Sequence, residues 1–260
     1  FGGVEKFIRG RHLLLVASAP LTQLPFQVLV TEPPKSNDHR LIRWLARDHA
    51  LTVLPAASSL RALRRVSRPS AAQRPMIGFG NPLLSGQQGH PKFGVYYKQQ
   101  AALARTSQSC PELPVQRATA MLGARRGVGP VATRDGLADI SQLRAQSPLP
   151  ETAKELCDVA ASLRMDRGNI WLGARATERE IKRLNAATDA TRLANHRIVH
   201  FATHGVLAGQ VAGIGEPGLI LTPPANETPG DTGYLSASDI TGLKLDADWV
   251  ILSACNTAAA

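Results

Sequence analysis

Two residues have both the type and the setting for chemistry. His204 stands in Ala202-Thr203-His204-Gly205 and Cys255 in Ser253-Ala254-Cys255-Asn256, each after an apolar run and each in a turn of small residues. A thiol with an ordinary pKa of about 8.5 is a few per cent thiolate at pH 7 and strongly nucleophilic. A neighbouring imidazole can protonate a leaving amine and activate water for deacylation. Gly205 would let a substrate carbonyl approach the backbone, so the N–H groups of Gly205 and Cys255 are the candidate oxyanion donors. Any α/β protein can end one strand with His and another with Cys, so the pair alone does not separate a site from core or surface residues.

Two other patterns imitate sites. His196, His200 and His204 have the i, i+4, i+8 spacing of a helical metal site. Their neighbours Ile198, Val199 and Phe201 are strand formers, and four strand residues span roughly 13 Å, too far for three imidazoles to meet at one ion. Gly213-Ile214-Gly215-Glu216-Pro217-Gly218 matches GxGxxG, but Pro217 interrupts it and an apolar strand follows where a helix should begin, so it reads as a loop. There is no Walker A sequence and no GxSxG elbow. From the histidine spacing no metal site is expected.

The elements that must position the pair are the strands 198–202 and 249–252. In parallel α/β sheets the C-terminal ends of strands converge on sites, so His204 and Cys255, 51 positions apart, can face one another across neighbouring strand ends. Along the chain, 12–30 reads as paired strands, 38–49 as a helix capped by Asp38, 53–55 as extended, 58–66 as a helix and 76–80 as a strand. The stretch 84–147 loses periodicity and reads as an irregular insertion. A helix over 151–163 buries Cys157, a strand covers 169–173, and Thr177-x-x-Glu180 opens the next helix. The runs at 219–221 and 234–235 form a hairpin, and Ser236-x-x-Asp239 caps a short helix. This alternation predicts an α/β fold with a mainly parallel sheet, divided into a strand/helix region 1–83, the insertion 84–147 and a core 148–260.

Composition narrows the classes. Of 260 residues, 43% are apolar and 19% charged, which excludes a collagenous, coiled-coil or wholly disordered chain. No apolar stretch is long enough to span a membrane, and the apolar run that opens Leu13–Ala19 after Arg9 and Arg11, broken at Ser18, is shorter than a signal core, so it reads as a buried strand. Three widely spaced cysteines, Cys110, Cys157 and Cys255, suggest neither a disulfide framework nor zinc, and fit a reducing cytoplasm. Residues 1–197 hold 29 Lys+Arg and 14 Asp+Glu, whereas 198–260 hold Lys244 against six acids. The positive charge is scattered, so it reads as solvated or partner-facing surface rather than a nucleic-acid stripe. Starting at Phe1 and stopping shortly after an apolar run, the chain reads as part of a longer protein.

The blocks His200-Phe201-Ala202-Thr203-His204-Gly205 and Leu252-Ser253-Ala254-Cys255-Asn256-Thr257 resemble the CHAT domain, a caspase-like cysteine peptidase family often joined to tetratricopeptide repeats. Leu172-Gly173-x-x-Ala176-Thr177-Glu178, Leu219–Leu221 and Leu235–Ile240 agree with it, and Leu24-Pro25-Phe26, Pro55-x-x-Ser58-Ser59-Leu60 and Gly80-Asn81-Pro82 extend a weaker likeness upstream. The resemblance implies a three-layer caspase-like α/β fold in which Cys255 is the nucleophile and His204 the catalytic histidine, in the chain order of caspases and separases. It implies hydrolysis of a protein substrate without a cofactor, under control of a repeat domain or other regulatory protein. In the family further elements follow the cysteine, so 1–260 alone is expected to expose a sheet edge and to be poorly soluble or inactive. The acidic end of the chain favours a basic P1 residue. A catalytically silent scaffold of the same fold is the alternative, with a nucleic-acid-binding module behind it.

Overall fold

The strand Arg74–Gly80 (β3) carries Met76, Ile77 and Phe79 around Gly78 and ends at Gly80, and all three large side chains are buried. Such a run suits the middle of a parallel sheet, where both faces are covered. That is its place in the computed structural model, which describes residues 3, 5–18, 21, 24–36, 38–66, 68–111, 133–134, 137–138, 140–207, 215–226, 228 and 230–254. The chain forms two units, 1–68 and 69–257.

The first unit contains α1 (Glu5–Ile8), β1 (Leu13–Val16), α2 (Leu45–Asp48), β2 (Leu51–Leu54) and α3 (Ala57–Val66). β1 does not pair with the run that follows it, as the sequence suggested. It pairs in parallel with β2, Leu13 opposite Leu51 and Val16 opposite Leu54. Pro25 has no N–H to give a ladder, and Phe26–Val28 after it closes into a 3-10 turn. Nor is β1 fully buried, since Leu14 and Val16 are exposed. The helix expected over 38–49 shrinks to α2. Asp38 spends its carboxylate on the Arg40 N–H at 3.0 Å, making a local turn, and Trp44 bridges to Val30.

In the second unit, β3 is followed by α4 (Gly94–Thr106), two-residue strands β4 (Thr133–Arg134) and β5 (Leu137–Ala138), α5 (Ile140–Arg144), α6 (Glu151–Ser162) and β6 (Ile170–Leu172). Then come α7 (Glu178–Ala186), β7 (His196–Ala202), β8 (His204–Val206), β9 (Gly218–Ile220), β10 (Tyr234–Ser236), α8 (Ala237–Thr241) and β11 (Trp249–Leu252). The main sheet has the order β11-β7-β3-β6, with every neighbour parallel. Phe79, Val199 and Phe201 meet Ile181 and Leu184 of α7 on one face. Met76 and Ala202 meet Ala153, Leu156 and Ala160 of α6 on the other. Helices thus cover both faces, and the fold is α/β. β8, β9 and β10 form a separate antiparallel sheet.

Two expectations change here. The stretch read as irregular contains α4, whose buried residues are Gly94, Ala101 and Ala104. Small buried residues leave little contrast between faces, which hides a helix from any periodicity test. The cysteines also do not stay apart, because Cys110 and Cys157 are joined by a disulfide with a Cα–Cα distance of 5.5 Å. Cys157 does pack in the core, at 8% exposure, but as a half-cystine. The odd count excluded a complete framework and did not exclude one pair. Among the described residues, no helix is long and apolar enough to cross a membrane.

Candidate active site

β7 runs straight into the site. Its register sets Gly80 of β3 opposite Ala202, so the ends of these strands lie side by side, with Asn81 and Thr203 next. Thr203 is buried, and its hydroxyl donates to the Ile220 carbonyl of β9. The chain then enters β8, where His204 stands opposite Ile220 and Gly205 opposite Leu219. His204 therefore sits at the seam between the parallel and antiparallel sheets, at 0% exposure.

Its imidazole is oriented by Ser147, whose backbone carbonyl lies 2.8 Å from Nε2. A carbonyl can only accept, so Nε2 carries the proton and donates, and in the neutral ring Nδ1 is the basic nitrogen. Ser147 belongs to the short lead into α6, where Thr152 Oγ1 donates to the Leu149 carbonyl at 2.8 Å and accepts from Asn81 N–H at 2.8 Å. Asn81 has a positive φ of 50° and donates from Nδ2 to the carbonyls of Ala104 and Ser107, each at 2.8 Å. Asparagine tolerates this left-handed backbone better than most residues. Ser147, Asn81 and Thr152 are the supporting residues that the sequence did not mark. Only the Gly80-Asn81-Pro82 turn signal pointed at one of them.

The other two histidines of the i, i+4, i+8 series have separate surroundings. His200 faces α6, with Nε2 3.3 Å from Glu155 Oε1. His196, at the start of β7, lies 3.3 Å through Nδ1 from the Leu193 carbonyl. Burial pushes its pKa below the ordinary value, while the Leu193 carbonyl works the other way.

β8 is backed by the β9–β10 hairpin, which is fastened to α7. Glu178, buried in the first turn of that helix, accepts through Oε2 from Thr232 N–H at 2.7 Å, Gly233 N–H at 3.0 Å and the Thr232 hydroxyl at 3.2 Å. Its Oε1 meets Lys182 Nζ at 2.5 Å, and Lys182 also reaches Asp239 at 3.1 Å. Burial works against the Lys182 charge, yet these carboxylates raise its pKa above the ordinary value. Asp231 next to this network has a raised pKa, from burial first and from Glu178 second, with Arg179 offsetting part of the rise.

β11 lies on the other side of β7, Leu252 opposite Phe201, and Ser253 N–H donates to the Phe201 carbonyl at 2.8 Å. It is the outer strand of the sheet among the described residues, with Trp249 65% and Val250 51% exposed. Cys255 and the GxGxxG residues before Gly215 lie outside the described residues. A family model described as CHAT domain matches residues 4–260 of the chain. No curated protein and no solved structure matches it.

Proposed function

Because the chain belongs to the CHAT domain family, which is related to the caspase-like cysteine peptidases, we propose that it is a cysteine endopeptidase using Cys255 and His204. The observation that carries this reading is the hydrogen bond from His204 Nε2 to the Ser147 carbonyl, which leaves Nδ1 as the nitrogen able to exchange protons with a thiol. Residue count adds to it. From the paired positions Leu252 and Phe201, three further residues reach Cys255 on one segment and His204 on the other.

In this reading the Cys255 thiolate attacks the scissile carbonyl carbon, and the oxyanion is met by the N–H groups of Gly205 and Cys255. The carbon–nitrogen bond breaks as protonated His204 gives its Nδ1 proton to the leaving amine. His204 then takes a proton from water, which hydrolyses the thioester and restores the thiol. The substrate is a protein, the acids of 198–260 favour a basic P1 residue, and a repeat domain or other regulatory protein controls access. His204 has no exposed surface, which favours a second reading, a silent scaffold of the same fold working through protein contacts.

Labelling of the intact protein with a mixed-P1 peptidyl acyloxymethyl ketone library separates the two. The peptidase reading expects labelling that vanishes in Cys255→Ala and slows by about 100-fold or more in His204→Gln, which keeps an N–H donor for Ser147. No labelling of folded protein, with or without candidate partners, would sink that reading in favour of the scaffold.

A further inference from the structure

The disulfide has two ends of different character. Cys157 is on α6, packed among Ala153, Leu156, Ala160 and Met76. Cys110 is half-buried, the fourth of the five residues 107–111 that follow α4. This strap runs beside β6, which ends the sheet on that side among the described residues. Beyond the C-terminal end of β6, Gln108 Oε1 accepts from Ala174 N–H at 3.1 Å, and Gly173 leaves the space that Gln108 fills, since a Cβ there would stand 2.5 Å from Gln108 Cγ. Before the N-terminal end of β6, Arg167 donates to the Pro111 carbonyl. Ser107 is held by Asn81.

The same α6 holds the candidate site. Its lead presents the Ser147 carbonyl to His204, Thr152 takes the Asn81 N–H, and Glu155 meets His200. Leu156 fills the space opened by the missing side chains of Gly78 and Gly80, where a Cβ would come within 3.0 and 2.7 Å of its methyl groups. The strap and α6 are thus joined covalently at Cys110–Cys157 and through hydrogen bonds at Asn81, which donates to one and to the other. Breaking the disulfide creates no buried charge and no unsatisfied polar group, because a Cys157 thiol behaves as a small apolar residue in an apolar cluster. Both bond states are therefore compatible with the fold. They differ in how firmly the strap and α6 are held together.

We propose that Cys110–Cys157 is a thiol–disulfide exchange site for a dithiol reductant, and that its bond state sets how rigidly α6 holds the Ser147–His204 pair. A thiolate of the reductant attacks Cys110 Sγ, the more accessible sulfur, and the Sγ–Sγ bond breaks with Cys157 leaving and taking a proton. The second thiol of the reductant resolves the mixed disulfide, releases Cys110 as a thiol and closes the reductant to its own disulfide. Two electrons and two protons pass from reductant to protein. The link to His204 as a catalytic group rests on the peptidase reading; the exchange site does not.

The test uses the full chain in a Cys255→Ala background, poised in mixtures of reduced and oxidised dithiothreitol, with alkylated thiols counted by mass and amide exchange measured by peptide. The count is expected to go from zero to two thiols, both from this disulfide. Exchange across 107–111 and 147–157 should quicken by about tenfold in the reduced form, with the sheet unchanged. Cys110→Ser, at the half-exposed end, should match the reduced form without any reductant. Two thiols under every oxidising condition, or equal exchange in the two states, would overturn the proposal. Ketone labelling of the Cys255 chain is read separately: its absence in both Cys110 and Cys110→Ser proteins would count against the peptidase reading alone.

Discussion

Removing the Glu178 carboxylate tests whether α7 holds the hairpin that backs His204. In Glu178→Ala, the buried Gly233 N–H loses its Glu178 acceptor and keeps only the neighbouring Asp231 carboxylate, which costs about 1–3 kcal/mol, while Thr232, partly exposed, can turn to water for roughly 0.5–1 kcal/mol. The Lys182 bridge adds little, below about 1 kcal/mol, because Lys182 is 39% exposed and keeps Asp239. The expected loss is about 3 kcal/mol. Glu178→Gln keeps one acceptor oxygen for Thr232 and Gly233 and should lose roughly half as much. Urea unfolding would be followed by Trp171, stacked on Phe79 in the core, after Trp44 and Trp249 are replaced by Phe so that it reports alone. Asp231→Asn is the internal contrast. Its carboxyl has a raised pKa, so its charged form is disfavoured in the fold and stability falls as pH rises through the folded pKa; the neutral amide should be at least as stable at pH 7. A loss below about 1 kcal/mol in Glu178→Ala, or equal losses in Ala and Gln, would refute the anchoring argument.

Three further outcomes follow from the same geometry. Gly218→Ala would place a Cβ 2.5 Å from the Leu235 carbonyl oxygen and 2.6 Å from Tyr234 Cζ, so it should cost roughly 1–3 kcal/mol in urea unfolding, and a neutral result would contradict the β9–β10 register. His196 has a lowered pKa, so the unfolded chain binds its proton more readily; stability present above the ordinary value of 6.5 is lost as pH falls below it, and His196→Asn should flatten that slope in stability measured against pH. Burial first and Glu216 second push Tyr234 up to about 12, so ultraviolet titration should show a tyrosine ionising there. Stability present below the ordinary pKa of 10.0 is then lost as pH rises through that range, and Tyr234→Phe should remove this part of the alkaline slope.

What the sequence revealed of the fold was whatever local chemistry decides. The strand expected at 198–202 and the Thr177 and Ser236 caps rest on residues a few positions apart and formed there, the strand starting earlier, at His196; the runs at 219–221 and 234–235 paired as a hairpin with bounds shifted by a residue, 218–220 and 234–236. The first unit misled because its second apolar run contains Pro25, and because strand pairing is a tertiary choice: Leu13 found Leu51 rather than the nearer run. α4 was hidden for a different reason. Its buried face is Gly94, Ala101 and Ala104, which hydropathy cannot distinguish from loop composition.

At the candidate site the same division is sharper. His204 was visible from its own hexapeptide, but what orients it is a backbone carbonyl 57 positions away, and a backbone carbonyl carries no residue-type signal at all. Asn81 and Thr152 are 71 positions apart, and their types suggest only a turn and a helix start. The cysteines failed through an argument from parity. Parity limits how many bridges can form, whereas whether one forms depends on two Cα atoms arriving within bonding reach, here across 47 positions between a strap and a helix. All of these contacts converge on α6, whose sequence reads as an ordinary amphipathic helix. Its importance lies in what it joins: the strap through Cys157, β3 through Leu156 and Thr152, β7 through Glu155, and His204 through the residues just before it. Substitutions on α6 should therefore disturb His204 at a distance, whereas equally buried positions on α7 should act through the hairpin and leave the Ser147 contact in place.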